Sequence, residues 1–252
     1  MKPNRVLLIL MLSVLSCLQA SASHIVGGEF TYRFLGDTLI PPLMYHRYQV
    51  SLSIYQDCEN GQPDAIAEDN PAFLGVYDGM RNLIQMDTGV TGGIYFTTTE
   101  MVPANFNNSC VTNIPRTCLI KKTFIKTYYL APNTSGYVIA YQRCCRNNAI
   151  VNIQKPGDNG STYYCTIPPS PRVNNSAVFN NYPPQIICVN NPLYYDHSAF
   201  DPDGDSLSYE YCQALEGATG ADIKPAPLPP PYDSVKYVNP PYSYKVPLTG
   251  FP

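Results

Sequence analysis

The chain has 252 residues, enough for two domains of ordinary size. Charged residues make up only 14%, against about 25% in an average soluble protein, and the net charge is −3. The few lysines and arginines are scattered apart from Lys121-Lys122 and the pair Arg143 and Arg146, so no concentrated basic footprint for nucleic acid exists. Twenty-five prolines and 16 glycines stay below the level of a disordered chain, and 21 tyrosines with no tryptophan favour half-buried strands.

The N-terminus reads as a secretory leader. Lys2 and Arg5 form its charged region, and residues 6–18 form an apolar run too short to span a bilayer comfortably. Ala20-Ser21-Ala22 is a small-x-small cleavage site, which places the signal peptide at 1–22 and the mature start near Ser23. Val14-Leu15-Ser16-Cys17 leaves an acylated-cysteine alternative open. The chain has nine cysteines, so losing Cys17 leaves eight: Cys58, Cys110, Cys118, Cys144, Cys145, Cys165, Cys188 and Cys212. An even count in an exported chain predicts disulfides. Cys110 and Cys118 are placed to close a small loop, and Cys188 with Cys212 is the expected pair in the second domain. Cys144 and Cys145, if in a strand, face opposite ways and are expected to take different partners.

A first strand is predicted over 29–35, after the Gly27-Gly28 bend. Residues 45–55 are the clearest strand, with Tyr48, Val50, Leu52 and Ile54 alternating against Gln49, Ser51 and Ser53. Residues 57–71 read as a polar loop, 73–77 and 83–86 as a strand pair, and 93–99 as another strand. Residues 122–130 and 137–143 look like a hairpin joined by Ala131-Pro132-Asn133-Thr134-Ser135-Gly136. Residues 149–153 and 162–167 are expected to continue the sheet. Many short strands with frequent turns predict an all-β sandwich or barrel.

Pro168-Pro169-Ser170-Pro171 is the predicted boundary between an N-terminal β domain (23–171) and a second β unit (172–252). The proline-rich segment 225–232 is expected to be a long loop of the second unit. That unit is short, and the chain reads as the N-terminal part of a longer protein. Asp201, Asp203 and Asp205 alternate around Pro202 and Gly204, a spacing at which hard oxygen ligands converge on Ca2+. An EF-hand is excluded, since its sixth and twelfth positions hold Ser206 and Cys212. Alternation of Leu207, Tyr209 and Tyr211 predicts a strand after the turn. The plain alternative is that these carboxylates cap turn backbone.

Three resemblances bear on function. Ile25-Val26-Gly27-Gly28 resembles the mature N-terminus of trypsin-like proteases, but the segments around a catalytic His and Ser are absent, so that reading is set aside. Asn174-Asn175-Ser176-Ala177-Val178-Phe179 with Phe200-Asp201-Pro202-Asp203-Gly204-Asp205 resembles the start of a cadherin-like or bacterial immunoglobulin-like repeat. That resemblance implies an incomplete second β-sandwich after a disulfide-stapled first one. It also implies Ca2+ ligand roles for Asn175, Asp201 and Asp203, with Asp205 as a further candidate. Finally, Ser23-His24-Ile25-Val26-Gly27-Gly28-Glu29, Tyr55-Gln56-Asp57-Cys58, Gln142-Arg143-Cys144-Cys145-Arg146-Asn147 and the Asp-rich turn, in that order, are similar to gliding-motility-associated, type IX-secreted bacterial surface proteins with PKD-like repeats.

The expectation is a non-enzymatic structural or adhesion module at the outer-membrane surface. Its partners would be further repeats of the same polypeptide and a surface glycan or protein ligand, and the mature chain would have no transmembrane segment. A carbohydrate-binding module, with Tyr128, Tyr129, Tyr194 and Tyr195 as stacking candidates, is the alternative. An exported hydrolase built on His46 or His197 with Asp196 or Asp201 lacks a nucleophile motif.

Overall fold

Two long antiparallel strands start the fold. In the computed structural model, which describes residues 24–90, 92–104, 106, 111–113, 116–188 and 191–248, Ile25–Ile40 forms β1 and Leu43–Asp57 forms β2. The predicted leader, Cys17 and Cys110 lie outside the described residues. The alternation in β2 has the expected consequence: Tyr48, Val50, Leu52 and Ile54 point to one face and are at most 1% exposed. Burying each contributes about 1.5–3 kcal/mol.

The remaining strands are β3 (Leu74–Asp78), β4 (Leu83–Asp87), β5 (Phe96–Met101), β6 (Leu119–Leu130), β7 (Tyr137–Arg143) and β8 (Ser161–Ile167). They form two antiparallel four-stranded sheets, ordered β1-β2-β6-β5 and β4-β3-β7-β8. Leu52, Phe124 and Tyr128 of the first sheet and Val76, Ile139 and Tyr141 of the second belong to one continuous buried cluster. The chain is thus all-β, with a single apolar core supplied by both sheets.

The structure differs from the expectations in four places. Strands β6 and β7 are not a hairpin: β6 pairs with β2 and β5, and β7 pairs with β3 and β8. The 131–136 turn carries the chain from one sheet to the other, because both strands have an apolar face to bury and stacking the sheets buries both. A short helix, α1 (Pro63–Glu68), interrupts the 57–71 loop, with Pro63 in its first turn. Six residues are too few for a helical period to register in the sequence. Residues 149–153 form a turn with one bridge, Ile153 to Tyr237, rather than a strand. Residues 207–211 are exposed and form no strand, since no neighbouring ladder among the described residues offers them hydrogen bonds.

The cysteines differ as well. Cys58 bonds to Cys118, not Cys110 to Cys118. Cys144 and Cys145 bond to each other. The opposite-face argument does not apply to them, because β7 ends at Arg143. Cys188 is disulfide-bonded but not to Cys212, which is a free, exposed thiol. Cys165 is also free. It packs against the core, and burial pushes its pKa up to about 12.

Beyond Pro171 the chain keeps returning to the two sheets. Ser176 N–H donates to the Tyr32 carbonyl of β1 at 2.9 Å, and the Asn175 side chain accepts the Phe34 N–H at 2.8 Å. A small ladder, β9 (Val178–Phe179) with β10 (Ala199–Phe200), follows. The proline-rich segment then straps the second sheet: Tyr77 Oη–H donates to the Pro227 carbonyl, and Leu228 N–H donates to Gln142 Oε1 at 3.0 Å. Gly75 allows that approach, since a Cβ there would lie 3.2 Å from the Pro227 oxygen and 2.8 Å from the Tyr77 ring.

Candidate functional site: an aromatic groove beside a buried charge cluster

Neighbouring residues on a strand face opposite ways, and two adjacent pairs exploit this at one end of the first sheet. On β2, Gln56 points inward and is fully buried, while Tyr55 points to the outer face. On β6, Lys122 is 8% exposed and donates to the Ile66 carbonyl near the end of α1, while Lys121 lies outward beside Tyr55. The inner partners build a charge cluster and the outer ones a groove.

The cluster is centred on Asp69, the residue that caps the C-terminal end of α1. Its Oδ2 accepts from His24 Nε2–H at 2.6 Å and from the Gln56 side-chain amide. Its Oδ1 accepts from Arg143 Nε–H at 2.6 Å. His24, Gln56, Asp69 and Arg143 are each no more than 2% exposed. Burial alone would raise the Asp69 pKa, but the hydrogen bond and charge of His24, together with the Arg143 guanidinium, hold its carboxyl below the usual carboxylate range. Arg143 also donates to the Ile223 carbonyl at 2.9 Å, tying the late part of the chain to the same point. Three of the motifs noted in the sequence, around His24, Gln56 and Arg143, therefore meet here. Asp69 was missed, because a lone Asp in a polar loop has no distinguishing pattern.

The groove has a volume of about 520 Å3. Its floor is the row Gly27, Tyr55 and Lys121 across β1, β2 and β6, with Glu29 beside it. Gly27 has no side chain to cover the Tyr55 ring. Tyr182 stands edge-on to Tyr55, with centroids 6.0 Å apart and planes at 77°. Tyr55 Oη–H donates to Glu29 Oε1 at 2.6 Å, and the Lys121 ammonium lies 3.5 Å from the same oxygen. Burial, then the Glu29 carboxylate, raises the Tyr55 pKa, so the phenol stays protonated. The rim is a ring cluster in which His197 packs 4.7 Å from Phe179 and 5.2 Å from Tyr195.

The other candidates fall as follows. Asp201 Oδ1 accepts the N–H groups of Asp203 and Asp205, at 2.8 and 3.3 Å, and Gly204 takes the positive φ the turn needs (+78°). Both Asp203 oxygens accept from Asn175, at 2.6 and 2.7 Å, and Asp205 lies 3.5 Å from Arg172. Asn175 thus meets the acidic turn in space, 28 residues away along the chain from Asp203. Among the described residues no three His, Cys, Asp or Glu side chains group as metal ligands do. Asp196 accepts from Ser198 N–H and from the Asn181 amide and does not face His197 as an orienter. Tyr128 is buried, its hydroxyl donating to Asp87 at 2.7 Å, and so is removed from any stacking surface, whereas Tyr129 is exposed. His46 instead joins a set no motif announced: its Nδ1 lies 2.6 Å from Asp37 and its Nε2 3.2 Å from Ser170 Oγ.

No family model, curated protein or solved structure matches this chain. No helix among the described residues is long and apolar enough to cross a membrane.

Proposed function

We propose that this chain is an exported, non-enzymatic module of a bacterial surface protein, serving adhesion or structural support. The observation that carries the reading is the oxidised state of Cys58, Cys118, Cys144, Cys145 and Cys188, which belongs to an oxidising compartment. The convergence of the His24, Gln56 and Arg143 motifs on one buried cluster agrees with it, since those residues fasten the fold rather than present chemistry. The resemblance to gliding-motility-associated surface proteins adds the location. Brief protease treatment of intact cells producing the full protein tests it. Removal of the module from whole cells is expected, and full protection until lysis would overturn the reading.

Calcium belongs to the same proposal. Asn175, Asp201, Asp203 and Asp205 would supply the oxygens at the junction after β8, where Asn175 meets β1, and binding would stiffen it. In the structure Asn175 N–H groups already satisfy Asp203, so the ion would exchange with those hydrogen bonds. A thermal midpoint higher in millimolar Ca2+ than in chelator, and unaffected in Asp203→Asn, is the expected result. Identical midpoints in both would remove calcium.

A second reading rests on the Ser170–His46–Asp37 set, whose spacing is that of a nucleophile, a base and its orienter. Two features weigh against it. Ser170 Oγ already accepts the Asn133 N–H at 3.2 Å, and the Asp37 side chain is 49% exposed, which weakens its hold on the imidazole. The set reads better as a fastener holding the 168–171 segment to β2. Covalent labelling by a fluorophosphonate probe, lost in Ser170→Ala, would favour the hydrolase. An unlabelled protein is the expected result.

A further inference from the structure

The outer-face groove is built differently from the rest of the surface. Its charged groups pair with one another, and its rings are only partly covered. We propose that it binds one neutral hexopyranose unit of a glycan chain. This rests on the surface-module reading and gives that module a ligand.

Three observations select the ligand class. The first is size: about 520 Å3 lies within the range of small-molecule sites, about 300–1,000 Å3. The second is the paired rings. Tyr55 and Tyr182 meet at 77° and form a floor and a wall. A ring face is the negative part of an aromatic quadrupole, and the axial C–H groups of a pyranose present the complementary positive, apolar face. Gly27 keeps the floor bare, and Tyr182, 38% exposed, keeps the wall accessible.

The third is charge. The Lys121 ammonium sits 5.8 Å from the Tyr55 centroid and 5.7 Å from that of Tyr182, so the protein's own cation already occupies the position a ligand ammonium would take. Lys121 is in turn balanced by Glu29 at 3.5 Å and Glu100 at 3.9 Å, which leaves no surplus positive charge for an anion. A neutral ligand remains. The groove offers it both signs of hydrogen bond: Lys121 donates, and Glu29 accepts, its Oε2 having no hydrogen-bond donor among the described residues. Adjacent hydroxyls of a hexose act as donor and acceptor at once, which matches a carboxylate beside an ammonium.

The test is titration of the purified, oxidised protein with neutral oligosaccharides of glucose, galactose and mannose, beside a uronate oligosaccharide and an unrelated tyrosine-rich peptide. At least one neutral series is expected to bind. Tyr182→Ala should weaken that binding at least tenfold. Gly27→Val should do the same by filling the floor, and a Cβ there meets the Tyr55 ring only at an ordinary 3.8 Å. Tyr194→Ala, on a ring 92% exposed and outside the groove, should change nothing. Unchanged thermal midpoints in the variants would assign the loss to the groove rather than to folding. Should a variant unfold, competition of the bound sugar with a Tyr182-proximal nitroxide label decides the same point. Binding to none of the neutral sugars, binding only to the uronate or the peptide, or binding indifferent to both substitutions would overturn the proposal. Surface exposure in the protease experiment without sugar binding sinks the groove and leaves the module reading. Sugar binding by a module protected in intact cells does the reverse.

Discussion

Asp69→Ala should cost the fold about 3–5 kcal/mol, the usual result of removing one partner from a buried ion pair. The substitution leaves the Arg143 guanidinium, 2% exposed, with only the solvent-exposed Glu68 carboxylate at 3.4 Å, and it strips His24 and Gln56 of their common acceptor. Urea denaturation reads the effect as a lower midpoint. Glu100→Ala, which removes a 55% exposed carboxylate paired with Lys121 at 3.9 Å, should cost at most about 1 kcal/mol. Equal costs for the two would show that the cluster is not a fastening point.

The same carboxylate sets a pH dependence of defined sign. Its folded pKa is held below the ordinary value, about 3.9 in an unfolded chain. The unfolded chain therefore binds the proton more readily. Stability from this group is complete above the unfolded value and is lost as pH falls through the folded one. Between about pH 5 and pH 2 the parent should lose more stability than Asp69→Asn, which has no proton to gain there. Parallel losses would separate the acid transition from Asp69. His24 and Arg143 belong to the same group, so their substitutions should not add to that of Asp69.

The second large effect is expected at Cys58–Cys118. The bond closes a loop of sequence separation 60, for which unfolded-chain entropy predicts a stabilisation of about 4 kcal/mol. The double variant Cys58→Ala with Cys118→Ala should lose about that much. Cys144→Ala with Cys145→Ala should lose less, because bonding adjacent residues closes no chain loop and so restricts the unfolded state very little. Chemical denaturation of both variants measures the contrast. Equal losses would mean that the adjacent pair contributes through packing, Cys144 being 1% exposed.

Both predictions depend on contacts distant in sequence, and the same division runs through the whole protein. The strand class and the strong inward pattern of β2 were legible in the sequence, because a period of two is local and only a sheet satisfies it. Tyr48, Val50, Leu52 and Ile54 were readable as core for that reason. The turn at Asp201 was legible too, since Pro, Gly and short acidic side chains make turn geometry by themselves.

Strand partners were not legible. A strand shows which face is apolar but not which neighbour covers it, so β6 and β7 resembled a hairpin although they belong to different sheets. The cysteine pairs failed for the same reason, since chain separation says little about spatial distance in a sheet protein. The groove was least visible of all. Tyr55 and Tyr182 lie far apart in the chain, and Gly27 of β1 reads only as a bend until the sheet places it beside Tyr55. Composition and periodicity alone determined that the chain would be a β protein with an inward-facing apolar stripe and a stapled, low-charge surface. The tertiary structure alone decided which stripe met which, that Asp69 would draw His24, Gln56 and Arg143 together, and that Tyr55 and Tyr182 would meet on the outer face. Those outcomes depend on packing two sheets over one core, a constraint that acts between residues the sequence does not bring near.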